Sequence, residues 1–125
     1  MNDSKIEKLK YLLKKKKFAD LEWEKRGLNP SSSELCDFME ERMDLCLNSL
    51  LDLVENDSSE NDLKKSLRLS LRSFNKSNFD TEEREFICDY FYEIAECVEI
   101  DFKNDLNNWL YGPFLNLLHK VFNKK

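Results

Sequence analysis

Residues 30–55 read PSSSELCDFMEERMDLCLNSLLDLVE, and this stretch decides the fold. Pro30 opens a turn, and Ser31-Ser32-Ser33-Glu34 reads as a capping box with Ser31 as N-cap and Glu34 at the third helical position. Leu35, Met39, Met43, Cys46, Leu50 and Leu53 then recur at spacings of three and four. That period places them on one stripe of a helix running to about Glu55. Glu34, Asp37, Glu41, Asp44, Asp52 and Glu55 form a second row roughly opposite, with Asn48 in its gap. One face is apolar and the other is carboxylate.

The same reading extends in both directions. Residues 3–26 carry Ile6, Leu9, Leu13 and Leu21 on an apolar face, closed by Gly27 as a left-handed C-terminal residue. Whether this segment is one helix or two stays open at Phe18. After the polar loop at 56–61, residues 60–74 place Leu63, Leu67, Leu71 and Phe74 in register. Asp80-Thr81-Glu82-Glu83 is a second capping signal. It opens a helix over 81–99 whose apolar face is wide (Phe86, Ile87, Tyr90, Phe91, Ile94, Ala95, Val98), which predicts a central position. Residues 102–111 contribute Leu106, Trp109 and Leu110, and Gly112-Pro113 starts a final helix with Phe114, Leu117, Leu118, Val121 and Phe122 inward. The expectation is an all-α fold: a Lys-rich helical N-terminal extension over 1–17, then one compact antiparallel bundle-like domain of five to six helices over 18–125.

Composition narrows the function. The chain has 125 residues, two Gly and two Pro. It suits one domain and leaves no room for a Gly-rich phosphate loop or the turns of a β-sandwich. The formal net charge of −5 argues against a non-specific nucleic-acid binder, so no direct nucleic-acid contact is expected. No stretch approaches the ~20 apolar residues of a membrane span, and no signal-peptide pattern opens the chain, which reads as cytoplasmic. Cys36, Cys46, Cys88 and Cys97 include no C-x-x-C pair, and His119 is the one histidine. The cysteines are expected to be reduced and partly buried, with no metal and no cofactor.

Charge is blocked along the chain. Residues 1–17 hold seven lysines against Asp3 and Glu7, and residues 31–62 hold ten acids against Arg42. Residues 63–76 hold five basic side chains and no acid, and residues 80–105 hold ten acids against Arg84 and Lys103. Like charges spaced by four destabilise a helix by a few tenths of a kcal/mol per pair, so the rows call for a basic neighbour. The 63–76 segment and the Lys-rich start are the internal candidates. Each row can also be a merely solvated face. The functional expectation is a small acidic protein-binding module whose partner is a basic protein met through Asp37, Glu41, Asp44, Glu82, Glu85, Asp89 and Glu93. Its most concrete form is an immunity or inhibitor protein occluding a basic toxin or nucleic-acid-processing enzyme. The chain would be a monomer or small homo-oligomer and not an enzyme.

Two alternatives accompany this reading. One is an oligomerising adaptor in which the Lys-rich helix of one copy meets an acidic face of another. The other is an enzyme with a site around His119. The lysines at 14–17 can contact phosphate or complement the helix dipole, and Trp23 and Trp109 read as packing anchors.

Gly27-Leu28-Asn29-Pro30-Ser31, Phe79-Asp80-Thr81-Glu82-Glu83-Arg84-Glu85, Cys88-Asp89-Tyr90-Phe91 and Leu106-Asn107-Asn108-Trp109-Leu110-Tyr111-Gly112 resemble a family of small bacterial helical proteins, the domain of unknown function numbered 4844. The resemblance covers residues 18–112 and leaves the Lys-rich start and the tail after Gly112 outside it. It implies a compact helical domain and supplies no activity and no catalytic residues.

Overall fold

The computed structural model describes residues 2–112, which form six α-helices and one short 3-10 turn. They are α1 (Asp3–Lys14), α2 (Asp20–Lys25), α3 (Ser33–Glu55), α4 (Glu60–Arg72), α5 (Thr81–Cys97) and α6 (Lys103–Tyr111), with the 3-10 turn at Lys76–Asn78. Pro113 and the expected final helix, including His119, lie outside the described residues.

Side chains decide where these helices start. Asp80 accepts from the Glu83 amide at 2.8 Å while Glu83 accepts from the Asp80 amide at 2.7 Å, completing the capping box of α5. The N-cap of α3 is Ser32, which accepts from the Leu35 amide at 3.2 Å, one residue later than the sequence reading placed it. The hydroxyl of Ser31 donates instead to the Glu83 carboxylate at the head of α5. A partner from a distant segment thus selects among three adjacent serines.

Helix ends use few glycines. Gly27 (φ 72°) closes α2, with the Leu28 amide donating to the Trp23 carbonyl at 3.0 Å. Asp57 (φ 53°) and Glu99 (φ 58°) take the same left-handed conformation after α3 and α5, where the next amides reach back to Leu53 and Ala95 at 2.9 Å. The hydrogen bond to an otherwise unpaired carbonyl offsets the strain of a non-glycine residue there.

The first segment divides into α1 and α2. Lys15 leaves the helix in an extended conformation. The chain then turns so that the Lys17 side chain donates to the carbonyls of Leu12 and Lys15 at 3.0 and 3.1 Å, capping the end of α1. Phe18 enters an aromatic cluster with Phe86 and Tyr90, their ring centroids 5.0 and 5.4 Å away.

The core is continuous. Leu9 and Leu12 of α1 are buried in the same cluster as Met43, Leu50, Leu67 and Phe91. The helix of the Lys-rich start is therefore built into the core. α3 packs against α1 and α4, and α5 against α1, α4 and α6, so α5 occupies the central place its wide apolar face required. Trp23 is buried and Trp109 packs against the core from its edge. Among the described residues, no helix is long and apolar enough to cross a membrane.

Candidate interaction surface

The carboxylate row of α3 divides into an inner and an outer edge. Glu40 and Asp44 form the inner edge, with oxygens 2.6 and 2.7 Å from the ammonium of Lys17. Lys17 is 0% exposed, and its charge is met by two carboxylates and two carbonyls. A buried ammonium persists only with such a complete set of partners. The knot extends further: the Phe18 amide donates to Glu40 at 3.2 Å, and the Tyr90 hydroxyl donates to the Lys17 carbonyl at 2.9 Å. Burial first, then the charges of Glu22, Glu93 and Glu40, pushes the Tyr90 phenol above its ordinary value.

Lys17 and Glu40 are the residues that sequence reasoning missed. Four consecutive lysines look alike by type. The available signal was position: Lys17 follows Leu13 by four and precedes Phe18, so it continues the apolar face.

The outer edge of α3 is different. Asp37 and Glu41 are exposed and form no ion pair among the described residues. With Glu40, Asp44 and Asn48 they line a shallow depression around Leu45, which is 53% exposed. On α5, Asp89 is held at 2.6 Å by Arg26, whose guanidinium lies 4.5 Å over the Phe86 ring. Glu82, Glu85 and Glu93 are exposed and form no ion pair among the described residues, and Tyr92 stands 51% exposed beside Glu93.

Of the seven carboxylates expected to face a partner, Asp44 and Asp89 are paired with cations of the molecule itself, Asp89 while remaining 63% exposed, and the other five form no ion pair among the described residues. The internal counter-charges come from Lys17 and Arg26. The basic residues of α4 serve neither row; Arg68 instead pairs with Asp105 of α6 at 3.0 Å.

The four cysteines are unbridged thiols, three buried and Cys36 half-buried. Burial pushes Cys46 up to about 11, and burial with the charges of Asp89 and Glu85 pushes Cys88 up to about 12. Neither is an activated nucleophile at neutral pH. Among the described residues, no group of three His, Cys, Asp or Glu side chains is placed to hold a metal ion.

The fold and surface define a small all-helical domain with carboxylate rows on two of its helices. The chain belongs to the DUF4844 family, a domain of unknown function, which it matches over residues 1–114. That match includes the Lys-rich start, which the sequence reading had set outside the resemblance. Among solved structures, the chain is similar to a crystal structure of a DUF3571 family protein from Acinetobacter baumannii AYE. The TM-score is 0.78 at 20% identity, covering 94% of this chain and 97% of that one, and the likeness is one of fold. A search of curated proteins found no match.

Proposed function

We propose that the outer face of α3 is a docking surface for a basic protein. Leu45, an exposed leucine inside a ring of carboxylates, carries this reading. An apolar anchor with a charged rim is the anatomy of a binding hot spot. Glu82, Glu85 and Glu93 of α5 add to the negative field that steers association.

In its most concrete form the protein is a cytoplasmic immunity or inhibitor protein. It would pair its carboxylates with the lysines and arginines that a toxin or nucleic-acid-processing enzyme uses on its own substrate. The mechanism is occlusion and needs no catalytic group. Affinity capture from the native host at low and high salt tests it, with wild type beside Asp37→Lys/Glu41→Lys and Leu45→Ala. A basic protein should be held by wild type, released by salt and lost from the double charge reversal. Leu45→Ala should speed its release about tenfold, since an anchor acts mainly on dissociation. Equal capture by all three proteins overturns the reading.

The adaptor reading has one observation in its favour. Lys17 is turned inward and Lys15 is bound to Glu22 at 3.3 Å, but Lys8, Lys10, Lys14 and Lys16 of the Lys-rich start are exposed and can meet an acidic face of a second copy.

A further inference from the structure

The α3–α4 layer carries opposite charge on its two edges. The Cys46 thiol of α3 and the Ser70 hydroxyl of α4 meet where the helices pack. At about 100° per residue, Asp37, Glu41 and Asp44 lie roughly 140–180° around α3 from Cys46. By the same arithmetic Lys64, Lys65, Arg68 and Arg72 lie roughly 120–160° around α4 from Ser70. The acidic edge therefore looks away from α4, and the basic edge looks away from α3. Each edge has one exposed leucine among its charges, Leu45 at 53% and Leu69 at 58%.

We propose that the basic edge of α4 docks on the acidic edge of α3 in a second copy of this chain. The two edges are opposite in sign, and each has an exposed leucine among its charges. A second copy offers a surface complementary to each edge, whereas a uniformly negative polymer would pair with the α4 edge alone and leave the acidic α3 edge unmatched. Because the edges face opposite ways, the contact is head-to-tail, and such contacts close into rings or extend into chains. The proposal uses the α3 face assigned above to a basic partner, and adds that self-association covers this face until such a partner displaces the neighbour.

The test uses the purified full chain alone. Weight-average mass by light scattering should reach at least twice the 15.0 kDa of one chain at high concentration in about 0.02 M salt, and return to one chain at about 0.5 M. Asp37→Lys/Glu41→Lys gives a protein basic on both edges, and Lys65→Glu/Arg72→Glu gives one acidic on both. Each should be monomeric alone, and an equimolar mixture of the two should associate at least to the dimer joined by the one intact contact. Far-UV circular dichroism and melting temperatures confirm that both variants fold; if one does not, the single substitutions Glu41→Lys and Lys65→Glu take their place.

Wild type that stays monomeric at low salt overturns the proposal. So does a mixture that fails to associate. A monomeric wild type that binds a fluorescent single-stranded oligonucleotide through Lys65 and Arg72 also overturns it, in favour of a polyanion. Failure here is distinguishable from failure of the proposed function, because Lys65→Glu/Arg72→Glu leaves the α3 face intact for capture of a basic protein.

Discussion

Lys17 is buried more completely than either of its carboxylate partners. Glu40 and Asp44 keep 26% and 37% of their side-chain surface, so water can replace the ammonium around them. No water can replace the carboxylates around Lys17. Glu40→Gln/Asp44→Asn is therefore expected to destabilise by about 3 kcal/mol or more, while Lys17→Met, which fills similar volume, costs less than about 2 kcal/mol. Urea unfolding of the two variants checks the order. At Glu22, burial opposes the charge, but hydrogen bonds and charge from Lys25 and Lys15 outweigh it and hold the carboxyl below its ordinary 4.5. A carboxyl lowered in the folded state contributes stability above its unfolded value, and this is lost as pH falls through the folded one. Lys15→Met/Lys25→Met should accordingly lose less stability than wild type between about pH 5 and pH 3.

At the scale of the helix, the two serines before α3 have separate duties. Ser32→Ala removes the cap and should cost about 1 kcal/mol. Ser31→Ala removes a contact to Glu83, which is 7% exposed and retains its capping box. Its effect should therefore be smaller, and because the two positions are adjacent and Glu83 decides between them, they should couple in a thermal-melt double-mutant cycle. The helices themselves were legible because apolar periodicity and caps are local signals, as at residues 35–54 and 80–83. The division of the first segment was not. It depends on Lys17 meeting Asp44, 27 positions away, and no window of sequence contains both. The register of the α3 cap failed for the same reason, since Glu83 makes the choice.

Over the whole molecule, net charge describes little and its distribution much. The carboxylate rows were legible as rows. Which members are paired internally was not, because Lys17 and Arg26 settle that through the packing of α1 and α2. The outer members repel one another within α3. Asp37→Lys/Glu41→Lys should leave stability unchanged or raise it, within about 0.5 kcal/mol of wild type in urea.

The Lys17 knot also has a consequence in time. Residues between α1 and α2 lack helical backbone pairing, and such connections ordinarily trade their amide protons quickly with solvent. Here the Phe18 amide is bound to Glu40, and the connection is tied to α5 through Tyr90. In deuterium exchange this short link should be as slow as the helices beside it. Lys17→Met should release it, with no change in α4. A segment without regular structure would then be among the last parts of the molecule to open.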